Sequence, residues 1–215
     1  MIQKISEPPV FTDPPRKNDA FLAYGALQEL PYVAAYVQSE VEVVHGPSCK
    51  PERDVRLDVC AREGIPIHAR RGGGGTVVLA PGMVVVIVVG PRHSGESIIN
   101  LFSRIHDGLI AAIDPSNKFC IGKDGISDLC IGGKKILGSS LFLTAQPNFF
   151  YYQSVLMVDP DVSLLEKYLS HPPKEPAYRQ GRSHGDFCTT LKAQGCQLSC
   201  EEICGMVESW FRLEC

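Results

Sequence analysis

The chain has 215 residues, 44% of them apolar, and a formal net charge of −3. That length suits one domain with a substantial core, and a mildly acidic balance without any Lys/Arg block argues against nucleic acid as a main partner. The longest apolar run, Met83 to Val89, is far too short to cross a bilayer, and the polar, proline-broken start "MIQKISEPPVFTDPPRKND" has no apolar signal core.

Nine cysteines in such a chain point to reduced thiols in a reducing compartment, which makes the cytoplasm the expected location. There is no CxxC pair, and His68, His93 and His184 have no paired or HExxH-type spacing. Neither a zinc ribbon nor another metal site is therefore expected.

Residues 1–17 are read as an N-terminal extension and 18–215 as one domain. Phe21, Leu22, Ala26, Leu27 and Leu30 recur at helical spacing and predict a helix over Asp19 to Glu29. Val41 to Val44 is a short strand, followed by the turn-rich "HGPSCKPERD" and a helix from Val55 to Arg62 that ends at Gly64. Pro66 to Ala69, Thr76 to Leu79 and Val84 to Val89 are strands. A long helix follows over "SGESIINLFSRIHDGLIAAI", with Ser94 as its N-cap and Glu96 in the first turn, where negative charge suits the dipole. Its buried stripe is Ile98, Ile99, Phe102, Ile105, Leu109, Ile110 and Ile113.

Beyond Pro115, "KFCIG", "SDLCIGGKKILGSSLFL" and "FFYYQSVLMV" read as antiparallel strands, with Gly132-Gly133 as a two-residue hairpin. A helix from Val162 to Leu169, a basic proline-marked loop from His171 to His184 and a last helix from Ser199 to Leu213 complete the chain. The fold class is α+β, a mixed and largely antiparallel sheet with packed helices. Cys196, Cys200 and Cys204 are four residues apart, which on a helix makes one apolar stripe and not a cluster-ligand set.

Two segments carry chemistry. In Arg70-Arg71-Gly72-Gly73-Gly74-Gly75-Thr76, four glycines leave backbone N–H groups open to close approach, and two arginines supply bidentate cationic forks. The alternative is a flexible hinge with two solvated charges. Strand-like runs on both sides frame the glycines tightly, so they are expected to close a hairpin. In the second segment, Asp128 precedes Gly132-Gly133-Lys134-Lys135-Ile136-Leu137-Gly138-Ser139. Strand alternation puts Lys135 and Leu137 on one face, and Lys134 and Ile136 on the other. This is either a charged hairpin or a lysine among apolar neighbours that needs an anionic partner.

Taken together, "RRGGGGTVVLAPG", "GISDLCIGGKKILGSS" and "EPAYRQGRSHGDFCTTL" resemble the catalytic domain of lipoate–protein ligases and octanoyltransferases, in the biotin/lipoate ligase superfamily, over roughly Asn18 to Phe211. The resemblance implies that Arg70, Arg71, Gly73, Gly74, Gly75 and Thr76 wrap an acyl-adenylate. It also implies that Lys135 contacts the acyl carbonyl and phosphate, and that Asp128, Gly138 and Ser139 complete the site. The implied reaction attaches lipoate or octanoate to a lysine of a lipoyl carrier, of the E2 lipoyl-domain or glycine-cleavage H-protein type. ATP and Mg²⁺ would be co-substrates, with no permanent cofactor and no metal held by the protein. An apolar slot for the acyl tail is assigned to Val77, Val84, Val86 and Leu137.

The sequence departs from the family pattern at Leu79, where many members carry histidine or a similar polar residue, and around Tyr152-Gln153, which replace the family's histidine near the later strand. The expected chain lacks the C-terminal accessory domain of two-domain ligases. It is then a short ligase, a ligase with a separate accessory protein, or an enzyme that does not use ATP. For the last case, Cys120 stands fifteen residues before Lys135, at a spacing similar to an octanoyltransferase branch whose cysteine takes octanoate from acyl carrier protein as a thioester. Otherwise Cys120 is a small buried hydrophobe. A non-catalytic module that keeps the lipoyl or acyl-adenylate pocket is the remaining reading.

Overall fold

The run of valines after Gly82 becomes the centre of the molecule because β-branched side chains suit a strand that is covered on both faces. This strand, β5 (Met83–Pro91), is buried from Met83 to Gly90. The computed structural model describes residues 16–27, 31–93, 95–144 and 148–214. The first fifteen residues of the expected extension, Gln28 and Glu29 of the first expected helix, Leu30 after it, and Ser94 lie outside these.

In chain order the elements are α1 (Asp19–Gly25), β1 (Tyr32–Val37), β2 (Glu42–His45), α2 (Pro51–Asp54), α3 (Leu57–Glu63), β3 (Ile67–Ala69), β4 (Val77–Leu79), β5, α4 (Ile98–Ile113), β6 (Gly122–Asp124), β7 (Asp128–Ile131), β8 (Lys134–Leu143), β9 (Phe149–Met157), α5 (Ser163–Tyr168), α6 (His184–Phe187) and α7 (Cys200–Glu214). Six strands form an antiparallel sheet in the order β1-β5-β9-β8-β7-β6, and three form a small mixed sheet in the order β3-β2-β4. The α+β class is as expected. β1 has no counterpart in the predicted elements, since "YVAAYV" lacks clean alternation.

Helices α4 and α7 cover one face of the large sheet, where Val84, Val86, Val88, Leu129, Leu137 and Leu156 meet Leu101, Ile105, Leu109, Ile203 and Val207. The small sheet, α1 and α5 lie over the other face, against Met83, Val85, Ile87, Tyr151 and Met157. Helix α4 is capped by Ser97, whose hydroxyl accepts from the Asn100 N–H. Glu96 lies before the first turn and pairs with Arg104 at 3.0 Å. Ile98 and Ile99 are 48% and 61% exposed, so the buried stripe begins one turn later than expected.

Ser199 and Glu202 form a reciprocal capping box at α7 (2.7 and 3.1 Å). Cys196 precedes this helix, yet all three of Cys196, Cys200 and Cys204 pack on the same core. No helix of the described residues is long and apolar enough to cross a membrane.

Two expectations about turns have opposite outcomes. Gly132 and Gly133, with φ of 55° and 71°, close the β7–β8 hairpin as a two-residue turn of mirror-image type. The four-glycine segment closes no hairpin. β3 pairs in parallel with one edge of β2 and β4 pairs antiparallel with the other, so residues 70–76 cross over the end of β2. Hydrophobic runs on either side of the glycines define two strands but not which neighbour each one pairs with. "KFCIG" is also no strand: pairing starts at Gly122, and Cys120 sits in the left-handed region at φ 51°.

Candidate active site

The central device of the site is a β-bulge. The pairing of β7 with β8 runs Asp128↔Gly138 and Leu129↔Leu137, then slips to Cys130↔Lys135, so Ile136 is an extra residue. The slip breaks the expected alternation. Ile136 and Leu137 both enter the helix-side core, whereas Lys135 turns to the face of Gly138 and Asp128. Its ammonium contacts Asp128 Oδ1 at 2.7 Å. A Cβ on Gly138 would lie 2.7 Å from Lys135 Nζ, so glycine there leaves the lysine its seat. Tyr178 donates from its hydroxyl to Asp128 Oδ2 at 2.7 Å, and Cys130 Sγ donates to the Tyr178 oxygen at 3.6 Å. Burial and the adjacent Asp128 charge raise the Tyr178 pKa, while burial pushes the Cys130 thiol up to about 12.

The glycine crossover is held from within. Arg70 donates to the carbonyls of Val44 (3.2 Å), Gly73 (2.8 Å) and Gly75 (2.6 Å). Burial lowers its pKa to about 10, still far above neutrality. Gly74 needs its φ of 95°, and a Cβ on Gly46 would lie 2.4 Å from the Gly74 carbonyl. Close packing therefore fixes the loop against the end of β2. Arg71 makes a bidentate pair with Asp19 (2.8 and 2.7 Å) and lies over the Phe142 ring, tying the crossover to α1.

Between the two sheets is a cavity of about 310 Å³ that collects most of the expected site. Arg70, Gly74, Gly75, Thr76, Asp128, Lys135, Gly138 and Ser139 line it. Arg71, Gly73 and Cys120 do not. Cys120 is exposed, its thiol turned to the Asn117 carbonyl at 3.6 Å. The apolar wall also differs from the expected slot. Val77 lines the cavity, but Val84, Val86 and Leu137 belong to the helix-side core. Val78, Leu79, Met83, Val85, Val155 and Met157 supply the wall instead. A continuous valine run gives no sign of which alternate residues face a ligand.

The departures from the family pattern also have places. Leu79 joins the apolar wall, and Gln153 lines the cavity. Tyr152 is fully buried on the helix side beside His106, with ring centroids 6.0 Å apart. His106 was not among the expected site residues. It is 1% exposed, and burial lowers its pKa to about 4. Its Nε2 lies 3.1 Å from Ser139 Oγ, which itself donates to the Ser127 carbonyl at 2.7 Å. With the Ser139 proton committed to Ser127, a neutral His106 donates from Nε2. It thereby steadies the segment that leads into Asp128.

Sequence reasoning also passed over the far end of the cavity, lined by Lys174, Arg179, His184, Phe187 and Cys188. Cys188 bridges to Lys135 across the β8 edge, and burial raises its thiol pKa, against the influence of Lys135 and Arg179. The basic loop that contains Arg179 was visible as composition, without a signal for which cation turns inward. Among the described residues, no three His, Cys, Asp or Glu side chains form a group that could hold a metal ion. The chemistry on offer is anion binding beside an apolar slot, with an ammonium and a carboxylate at their junction.

A family model described as the lipoyl protein ligase A/B catalytic domain matches residues 19–212. A comparison with curated proteins returned no match. Among solved structures, the bi-partite lipoate protein ligase of Thermoplasma acidophilum, described with its E2 lipoyl domain, matches with a TM-score of 0.73 at 19% identity, covering 85% of this chain and 70% of that one. A lipoate-protein ligase A bound with ATP gives 0.70 at 19% identity, over 85% and 72%. The P. falciparum LipL1 in complex with lipoate gives 0.69 at 16% identity, over 85% of this chain and 49% of that one. At these identities the structures share a fold, whereas the family model spans most of the sequence: the chain belongs to the lipoyl protein ligase A/B catalytic-domain family.

Proposed function

We propose that this chain is a lipoate–protein ligase-like acyltransferase that joins lipoate or octanoate to a lysine of a lipoyl carrier protein through an acyl-adenylate. The observation that carries the reading is the single cavity in which the glycine crossover, the Lys135–Asp128 pair and an apolar wall meet. An acyl tail would lie against Val77, Val85, Val155 and Met157, which places its carboxyl end toward Lys135. There the ammonium and the N–H groups of Gly74 and Gly75 would stabilise negative charge as it develops on phosphate and then on the acyl oxygen.

Asp128 holds Lys135 in place, and Tyr178 holds Asp128. Arg70 acts through the loop, since its fork is engaged with backbone carbonyls. Arg71 acts through its pair with Asp19. Mg²⁺ would arrive with the nucleotide phosphates. The solved relatives described with lipoate, with ATP and with an E2 lipoyl domain support these substrates and that partner. The bi-partite Thermoplasma ligase supports a separate accessory protein.

The test weighs a lipoyl domain by mass spectrometry after incubation with the chain, ATP, Mg²⁺ and lipoate, and in parallel with octanoyl carrier protein without ATP. A lipoyl mass gain with AMP release is the expected result. Acylation only from the octanoyl thioester would replace the adenylate route, and no mass gain under either condition, with or without a supplied accessory protein, would leave a binding module.

A further inference from the structure

We propose that the far end of the cavity, at Arg179, is an anion subsite that takes a phosphate group, separate from the glycine crossover. The contrast between two arginines in one loop carries the argument. Arg182 is engaged throughout: its fork donates to the carbonyls of Gly133, Tyr178 and Arg179. It thereby locks the turn through Gln180 and Gly181, both in the left-handed region. Arg179 is presented by that locked turn. Its side chain is only 6% exposed and lines the cavity. Its Nε donates to the Arg182 carbonyl at 2.9 Å and lies 3.4 Å from Glu175 Oε2, and its guanidinium lies 4.8 Å from the centroid of the Phe187 ring. Its Nη2 is buried without a hydrogen-bond partner.

A buried guanidinium N–H without an acceptor is costly, and it is the feature that a bound oxyanion repairs. Lys174 lines the same end and adds an exposed cation, while His184, whose pKa is lowered by burial, adds a neutral ring. Two carboxylates border this end. Glu166 lies 3.4 Å from the His184 ring. Glu175 Oε2, itself without a hydrogen-bond partner, stands at the Nε edge of Arg179, the edge that also carries Nη2, so an anion bound here engages the guanidinium in competition with Glu175. Arg70, at the opposite end, has both terminal nitrogens engaged with carbonyls and only its Nε without a partner, whereas Arg179 keeps a terminal nitrogen without a hydrogen-bond partner.

The shared ligand chemistry is a phosphate oxygen. Two sources present one: the polyphosphate tail of a nucleotide, and the phosphodiester of an acyl-phosphopantetheine thioester. Which of them occupies the subsite rests on the acyl-transfer reading above; the subsite does not.

Calorimetric titration separates these points. Inorganic pyrophosphate, ATP, octanoyl-phosphopantetheine and octanoyl-pantetheine are titrated into the wild-type chain, Arg179→Gln and Arg179→Lys, with melting curves to verify folding. Pyrophosphate binding that weakens at least about tenfold in Arg179→Gln, with partial recovery in Arg179→Lys, is expected for loss of a charge-assisted hydrogen bond. Unchanged affinity in a folded Arg179→Gln, or no pyrophosphate binding by the wild type, overturns the proposal. Should Arg179→Gln not fold, Arg179→Lys decides, because unchanged affinity with the fork removed is equally fatal. An Arg179-dependent loss for ATP assigns the subsite to a nucleotide, and a loss confined to the phosphorylated pantetheine assigns it to a thioester donor. Arg179-dependent pyrophosphate binding without binding of either donor keeps the subsite and removes the acyl-transfer reading.

Discussion

The two faces of the six-stranded sheet are made from the same strands and serve opposite ends. On the helix side, Val84, Val86, Leu137 and Leu156 are closed over by α4 and α7, and the polar group buried among them, His106, is held neutral and hydrogen-bonded. On the other side, Val85, Val155 and Met157 face a small sheet that stands off far enough to leave a cavity, rimmed by cations. Adjacent residues of one strand thus differ by whether their cover is packed or open. The comparison teaches that stability and chemistry are divided by strand parity, so a substitution's effect follows from the face it falls on.

The sharpest test sets one residue from each face against the other. Leu109, fully buried on α4, should on change to alanine lose about 2–5 kcal/mol of folding stability, seen as a lower denaturant midpoint, while the folded fraction keeps its specific activity. Lys135→Ala should do the reverse. Removing a group that stabilises developing anionic oxygen costs about 2.7–4 kcal/mol of barrier, a hundredfold or more in carrier acylation. The midpoint should move less than for Leu109→Ala, because Lys135 keeps 23% exposure and water reaches Asp128 in its absence. Parallel losses of stability and activity in both variants would break the division.

His106 tests whether the helix face is as inert to pH as it is to ligand. Its folded pKa, about 4, lies below the ordinary histidine value of 6.5. Between those values the unfolded chain takes up a proton that the folded chain refuses, so stability falls as pH drops from about 6.5 to about 4. The full change is about 3 kcal/mol. Stability measured by denaturant at several pH values should show this slope, and His106→Asn should flatten it. A slope that persists in the variant would place the titrating group elsewhere.

Much of this organisation was legible in the sequence, and the limits have physical causes. Long periodic segments announced α4 and α7, and Gly132-Gly133 announced its hairpin, because helical spacing and mirror-image turn chemistry are local. The partner of each strand beside the glycines was not legible, since pairing across β2 is decided by tertiary packing. Arg70, Lys135 and Asp128 all line one cavity, but of the valines expected on its wall Val84 and Val86 belong to the helix-side core, and Val85 stands there instead. An unbroken valine run has no parity to read. Arg179 was lost for another reason: composition shows that a loop is basic, but the partners that lock Arg182 and leave Arg179 open exist only in the folded turn.

The smallest expected effect isolates the bulge itself. Lys134 and Lys135 are neighbours of the same type, and unbroken alternation alone would aim them at opposite faces with Leu137 beside Lys135. The slip at Leu129/Cys130 keeps the two lysines apart but moves Lys135 onto the face of Gly138, while Lys134 stays exposed at the hairpin. Lys134→Ala should therefore change stability by no more than about 0.5 kcal/mol, the usual range for a surface position, and leave acylation at the wild-type rate. A double variant, Lys134→Ala with Lys135→Ala, should then match Lys135→Ala alone, as additivity requires when one member contributes nothing. If Lys134→Ala also removed activity, the two ammonium groups would share the site, and the bulge would not be what selects Lys135.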